Sequence, residues 1–219
     1  MTKEDNNEIE TILADTQNSI LLVTPAENPQ VVIGVPHHAP LGVPELPCCE
    51  HPMSDENTGF IGYHLSRLLN CPAIIACNYF MDSNKHKGSD YYRKLLSLKP
   101  KILIEIHGHC SSKVCADIEI SSGRAARDHW SQEMAARLQV KLTSIPSLQE
   151  HTVSGDFTKI HFKATKSVTI TSAKWVPFHL ELPWPIRKSQ TMSTLLAQAL
   201  AETIRELLVD FDDIKHPAG

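Results

Sequence analysis

The sequence predicts an α/β protein, a three-layer α/β/α sandwich built on a mixed central sheet. Short apolar runs rich in β-branched residues alternate along the chain with amphipathic segments of helical period, the pattern of a sheet covered by helices on both faces. Four of the apolar runs also end in ionisable or polar side chains, and ligands collect beyond strand ends in parallel-rich sheets. With 219 residues, 42% of them hydrophobic, the chain is expected to form a single domain around one core.

Charge and composition narrow the function. Lysine and arginine number 21 against 25 acidic residues, a net charge of -4, with no basic stripe interleaved with aromatics, so nucleic acid is not an expected partner. No apolar stretch approaches the roughly 20 residues of a membrane helix, and MTKEDNNEIE lacks the apolar core of a signal peptide. A cytoplasmic protein without membrane association is expected. In that compartment Cys48, Cys49, Cys71, Cys77, Cys110 and Cys115 read as free thiols.

In order along the chain, residues 1–18 read as a polar arm or short helix without chemistry. Ile20 to Val23 and Gln30 to Val35 are β-rich runs, and Thr24 to Pro29 between them suits a hairpin loop. The second run passes Pro36 and delivers His37 and His38 at its carboxyl end. Residues 39–53 are proline-rich, irregular and long enough for a functional loop. Ser54 is a suitable N-cap for a helix to about Leu69, with Asp55 and Glu56 in its first turn and Ile61, Leu65, Leu68 and Leu69 as its buried stripe. Pro72 to Tyr79 is the next strand, and Asp82-Ser83-Asn84-Lys85 follows its end. A helix over about Asp90 to Leu98 returns the chain to Lys101–Ser112, KILIEIHGHCSS, the stretch around which the rest is organised. Ile102, Leu103, Ile104 and Ile106 there form a buried strand carrying two polar intruders, Glu105 and His107, with Gly108, Ser111 and Ser112 marking its exit.

Ala116 to Ile120 reads as a further short strand. Gly123 to Leu138 has helical period, with Ala125, Ala126, Trp130, Met134 and Leu138 along one side and Arg124 at its start. Lys141 to Lys174 is β-rich with polar interruptions and includes Val168 to Thr171 (VTIT). Trp175 to Leu182 is a strand bounded by Pro183 and Pro185, with Glu181 near its end. The final helix, about Ser189 to Phe211, is expected to bury Met192, Leu196, Ala199, Thr203, Leu207 and Phe211.

The strand ends therefore collect His37 and His38, then Asp82 to Lys85, then His107 and His109, then Glu181. Two neutral imidazoles and one carboxylate make an open zinc site, leaving the fourth tetrahedral position for water. Glu56 or its neighbour Asp55, just after the first histidine loop, is the natural acidic ligand. His38 and His109 are expected to hydrogen-bond behind the ligands, while His64, His86 and His129 read as packing or solvent residues. Cys48-Cys49-Glu50-His51 has one Cys-x-x-His and no second pair, so no structural metal is expected there.

These residues resemble the N-formylglutamate amidohydrolases and their zinc-carboxypeptidase-like relatives over about residues 30 to 185. Pro36-His37-His38-Ala39 is similar to that family's Pro-His-Ser-Gly, Ser54-Asp55-Glu56-Asn57-Thr58-Gly59 to its acidic segment, and Asp82-Ser83-Asn84-Lys85 to its Asp-x-Asn-Arg. Glu105-Ile106-His107-Gly108 is similar to its Asp-Leu-His-Ser strand, and His179-Leu180-Glu181-Leu182 to a late strand that carries a glutamate. The resemblance implies a zinc-carboxypeptidase-like fold and hydrolysis of an N-acyl amino acid such as N-formylglutamate. It implies one zinc per chain held by His37, Glu56 and His107, with Glu181 taking the proton of the attacking water and returning it to the leaving amine. Asn84 and Lys85, with Arg124 as a further candidate, would hold a substrate carboxylate. The alternatives are a metallocarboxypeptidase, another acyl-amino-acid deacylase, or a relative that binds metal or ligand without turnover.

Overall fold

A computed structural model describes residues 3–26 and 30–213. The strands β1 (Ile20–Thr24), β2 (Val31–His38), β3 (Ala73–Cys77), β4 (Ile102–His109), β5 (Ile118–Ser121), β6 (Val153–Ser154) and β7 (Val176–Pro183) form one sheet. Its spatial order is β1-β3-β2-β4-β7-β5-β6. The central strands β3, β2, β4 and β7 run parallel, whereas β1 pairs antiparallel with β3 and β5 antiparallel with β7, so the sheet is mixed. Burial along β2 and β3 is continuous, which requires cover on both faces.

That cover is asymmetric. Helices α1 (Lys3–Leu13), α2 (Thr58–Leu69), α4 (Asp128–Thr143) and α6 (Gln190–Asp213) form one layer, helix α3 (Asp90–Leu98) contributes to the other, and α5 (Trp184–Lys188) is a short turn after β7. Ile102, Ile104 and Ile106 of β4 and Phe178, Leu180 and Leu182 of β7 pack into the four-helix layer. Leu103 points the other way, onto Tyr91, Tyr92 and Leu95 of α3 and onto Ile170 and Trp175 of an irregular segment. Because side chains alternate along a strand, Glu105, His107, His179 and Glu181 share this second face, with His107 paired in register to Glu181 and Glu105 to His179.

Several expected elements differ. Β1 and β2 are not a hairpin; β3 lies between them, and only the edge position suits the half-exposed β1. Residues 27–29 of the expected loop lie outside the described residues. Helix α2 begins at Thr58, not Ser54, because the amides of Asp55 and Asn57 donate to the carbonyls of His37 and Ala39 (2.9 and 2.7 Å) and hold 55–57 alongside the end of β2. Asn57 takes a left-handed conformation (φ 68°) to turn from that pairing into the helix. Val168 to Thr171 is a turn instead of a strand. Ser167 accounts for it: its Oγ accepts from Ile170 N, and its carbonyl accepts from Thr171 N. The helix expected from Gly123 starts at Asp128 after a 3-10 turn, leaving Ala125 and Ala126 exposed. The last helix, α6, keeps close to its expected span, and a short helix not expected from the sequence, α5, precedes it; Ser189 lies between the two, and its Oγ accepts from Met192 N. Leu196, Ala199, Thr203 and Leu207 are buried as expected, and Phe211 lies outside the residues whose side chains are described.

Arg187 fixes the carboxyl end of the sheet. It is 2% exposed, and its guanidinium donates to the carbonyls of Leu182 (3.1 Å), Glu56 (2.7 Å) and His109 (3.3 Å), tying β7, the loop before α2 and β4 together. Gly108 leaves room for it, since a Cβ there would overlap the guanidinium. Arg187→Ala removes these bonds and opens a cavity, and is expected to cost about 2–5 kcal/mol in a urea titration.

Candidate metal centre

The carboxyl ends of β2, β4 and β7 bring His37, His107 and Glu181 to one cavity of about 320 Å³ on the α3 face. Asp55 reaches it from the loop held beside β2. Its Oδ2 lies 3.4 Å from Nδ1 of His37 and 3.2 Å from Nδ1 of His107, and all three residues are buried.

Those two distances match a metal. A tetrahedral ion with ligand bonds of about 2.0–2.1 Å separates its ligand atoms by about 3.3–3.4 Å. Nδ1 of His37 is buried with no hydrogen-bond partner, which is costly unless a cation sits between it and the carboxylate. A carboxylate lies behind each imidazole. His37 Nε2 is 3.0 Å from Asp82 Oδ1, and His107 Nε2 is 3.5 Å from Glu105 Oε2. Asp82 thus favours the His37 tautomer that is protonated at Nε2 and presents a lone pair at Nδ1, as a metal ligand must. The donor set fits zinc: two imidazoles, one carboxylate and an approach from the cavity.

Electrostatics follow from this packing. Burial alone would raise the Asp55 carboxyl, but the imidazoles of His107 and His37 outweigh it and hold it well below the usual carboxylate range. Burial alone would lower His107, yet Asp55 and Glu105 override it and push its pKa to about 10. The place for a metal is therefore a place for a proton in its absence. Asp82 is likewise held low, against its burial, by His37 and by Lys85. Burial pushes Glu181 up to about 8, opposed chiefly by His107. Two further imidazoles flank the centre. His51 stacks on His37 (3.9 Å between ring centres), where burial lowers it to about 4, and His179 lies against His107 (4.2 Å) with Nε2 3.4 Å from Glu181 Oε1, where burial holds it well below its normal value.

The structure brings His37, His107 and Glu181 together and does not bring Glu56. The Glu56 carboxylate accepts from Gly42 N (2.6 Å), and Asp55 occupies the acidic position instead, because the strand-like pairing of 55–57 turns consecutive side chains apart. Asn84 and Lys85 line the cavity. Asn84 donates to Glu105 Oε2 (3.3 Å), and the Lys85 ammonium, on a 40% exposed side chain, sits 2.5 Å from Asp82 Oδ2. Arg124 lies outside the cavity lining and donates to Thr171 O (2.8 Å), so the structure does not bring it to Asn84 and Lys85. His38 bonds to Leu13 O and Gly59 N, and His109 to Asp117 O. Sequence reasoning passed over Asp82, His51 and His179 as participants and used Glu105 only as a marker. The signal for two of them was present: Glu105 with His107, and His179 with Glu181, are i,i+2 pairs and so share a strand face.

No family model matches the sequence, and no curated protein matches it. Among solved structures, a gene product of Agrobacterium tumefaciens superposes with a TM-score of 0.55 at 12% identity, covering 89% of this chain and 97% of that one. A bacteriophage poly-gamma-glutamate hydrolase superposes with 0.53 at 12% identity, covering 89% of this chain and 93% of that one. A metallo-carboxypeptidase from Burkholderia cenocepacia overlaps more loosely, with 0.46 at 11% identity over 96% of this chain and 70% of that one. The chain shares its α/β architecture, a mixed sheet between helical layers, with the Agrobacterium gene product and the bacteriophage poly-gamma-glutamate hydrolase. At these identities the likeness speaks to architecture alone.

Metal analysis separates the two acids. Protein loaded with zinc and then desalted is expected to retain about one ion per chain; Asp55→Ala and His107→Ala should lose it, and Glu56→Ala should keep it. Full retention by Asp55→Ala would refute the site. Zinc uptake at pH 7.5 should also release protons, because the metal-free His107 is protonated below about 10 and a ligand imidazole is neutral; a dye in weak buffer reads this.

Proposed function

We propose that the chain is a metal-dependent amidohydrolase that cleaves the amide bond of an N-acyl amino acid. The observation that carries the reading is the Asp55, His37 and His107 trio at metal-ligand spacing, with Glu181 beside it on the floor of the same cavity. A zinc ion held by His37, Asp55 and His107 would supply Lewis-acid activation of a water molecule. The chain's own residues do the rest. Glu181 has one oxygen, Oε2, buried without a hydrogen-bond partner, so it can accept the proton of the attacking water and hand it to the leaving nitrogen. His179 holds the other oxygen, Oε1, and, kept neutral by burial, adds no charge to the carboxylate. Asp82 and Glu105 orient the two ligand imidazoles. The cavity walls exclude bulk water on the sheet side and admit a small substrate from the other.

N-formylglutamate is the substrate to try first, on the strength of the motif order from Pro36-His37 to His179-Leu180-Glu181. A solved structure of the same fold is by its name a hydrolase of poly-gamma-glutamate, in keeping with an amide next to glutamyl carboxylates. A cytoplasmic location belongs to the same reading: the six cysteines are free thiols, and no described helix is long and apolar enough to cross a membrane. Its partner is the small acyl amino acid, with no role for nucleic acid or lipid.

Glu181→Gln keeps shape and hydrogen bonding but removes the proton acceptor. Zinc content should be unchanged while kcat on N-formylglutamate falls about 10² to 10⁴-fold. Undiminished turnover in Glu181→Gln would reject the mechanism, and a parent protein inert towards N-formyl, N-acetyl and C-terminal peptide substrates would favour a binding relative of the fold.

A further inference from the structure

The stretch Cys48-Cys49-Glu50-His51 has no part in the reaction described so far, yet it brings an imidazole to the metal centre. His51 stacks on His37 with 3.9 Å between ring centres and 19° between planes, and one of its nitrogens lies within 4.8 Å of a His37 nitrogen and an Asp82 carboxylate oxygen. Its Nε2 is buried with no hydrogen-bond partner among the described residues, although the ring borders the cavity. A structural histidine satisfies such an atom, as His38 does with Leu13 O and Gly59 N. The loop that delivers His51 is built. Glu45 and Met53 bridge antiparallel, Leu46 N donates to Pro52 O (2.7 Å), Ser54 N donates to Pro44 O (2.9 Å), and Leu46 and Cys48 are buried against Ala39. Glu50 pairs with His86, which ties the tip of the loop to the segment after β3.

The position matters because of what stands opposite. In the sheet order β2-β4-β7, His51 lies with His37 at the β2 side of the cavity and Glu181 at its β7 side, with His107 of β4 between them. During amide hydrolysis negative charge develops on the acyl oxygen, and a donor fixed beforehand stabilises it. Several other donors at the cavity are committed elsewhere. Among the described residues the lining holds no arginine, Lys85 is paired with Asp82, and Asn84 donates to Glu105. The wall at 161–167 is pinned by Glu119 of β5, whose Oε2 accepts from His161 N (2.8 Å) and Phe162 N (2.9 Å). The ammonium of Lys163 in that wall rests over the ring of Phe157 (5.3 Å), a residue outside the lining.

We infer that His51 is a further catalytic residue, donating a hydrogen bond from its ring to the acyl oxygen while the water oxygen bonds to the acyl carbon. This rests on the amidohydrolase reading. The imidazole keeps its proton throughout: the carbon–nitrogen bond breaks, and the proton taken up by Glu181 leaves on the amine. Two variants separate this role from packing. His51→Gln keeps an N–H donor and loses the stacked ring, whereas His51→Phe keeps a stacked ring and loses the donor. Both should retain about one zinc per chain and the parent's melting temperature. On the N-acyl amino acid that the parent turns over, N-formyl-L-glutamate first, kcat should fall about 10² to 10³-fold in His51→Phe with KM little changed, and should stay within about tenfold of the parent in His51→Gln. Binding of acetohydroxamate to zinc-loaded protein, read by calorimetry, needs no turnover. Its anion presents a charged oxygen in place of the acyl oxygen, and His51→Phe should weaken it about tenfold while His51→Gln does not. An unimpaired His51→Phe, equal losses in both variants, loss of zinc from His51→Phe, or a parent that does not bind acetohydroxamate would overturn the inference. A parent that hydrolyses no substrate yet shows the expected order in hydroxamate binding would sink the hydrolase reading and leave His51 as the donor of the site; hydrolysis that His51→Phe retains in full would do the reverse.

Discussion

Much of this molecule follows from the burial of one carboxylate. Asp55 is 5% exposed, in a place where an ionised group without partners would be untenable, and it stays ionised because two imidazoles converge on the same oxygen. To deliver it there the chain delays α2 by a turn, pairs 55–57 with the end of β2, and accepts a left-handed residue at Asn57. The arrangement is then anchored from behind by Arg187, whose bond to Glu56 O ties the same loop to β4 and β7. Each device makes sense only if the position of that carboxylate relative to His37 and His107 matters.

The doubled histidine shows how a strand divides chemistry from structure. His37 and His38 are consecutive, so they leave β2 on opposite faces. His37 enters the cavity. His38 enters the helical layer, where Nδ1 accepts from Gly59 N and Nε2 is left to donate to Leu13 O, both at 3.0 Å; the ring is neutral, its pKa lowered by burial to about 4. Gly59 is required at that contact, because a Cβ would lie 2.5 Å from the ring. One histidine thus joins the candidate metal centre while its neighbour joins α1 and α2 to the sheet.

The fold and half of the site were legible in the sequence for the same reason. Apolar runs of β-branched residues identify strands, and polar intruders such as His107 and Glu181 stand out against them. What was not legible depends on contacts between segments distant in the chain. The choice of Asp55 over Glu56 is set by a hydrogen bond to His37 O, not by helix periodicity. Asp82 looks like a turn former until His37 is placed beside it, and the Lys85 ammonium looks available until Asp82 claims it. VTIT has β-forming residues, yet Ser167 organises it as a turn through side-chain bonds that propensity does not contain. The wall at 161–167 has no periodic signal because its conformation is imposed by Glu119 from another strand.

Glu119 also helps to explain why Glu181 is the acid left to react. Three buried glutamates lie on this face of adjacent strands: Glu105 on β4, Glu181 on β7 and Glu119 on β5, the last two directly opposite one another. Glu105 is satisfied by Tyr91 Oη (3.0 Å) and Asn84 Nδ2 (3.3 Å), and Glu119 by three backbone amides. Such bonds use up the oxygens and hold both carboxylates in place. Glu181 alone of the three keeps a buried oxygen with no partner among the described residues, and its burial raises it towards neutrality. A buried lone pair without a donor is a cost that a purely structural glutamate would not retain, since glutamine or an apolar residue would fit the strand as well. It is retained where the missing donor arrives with the substrate or the water that the site is built to hold.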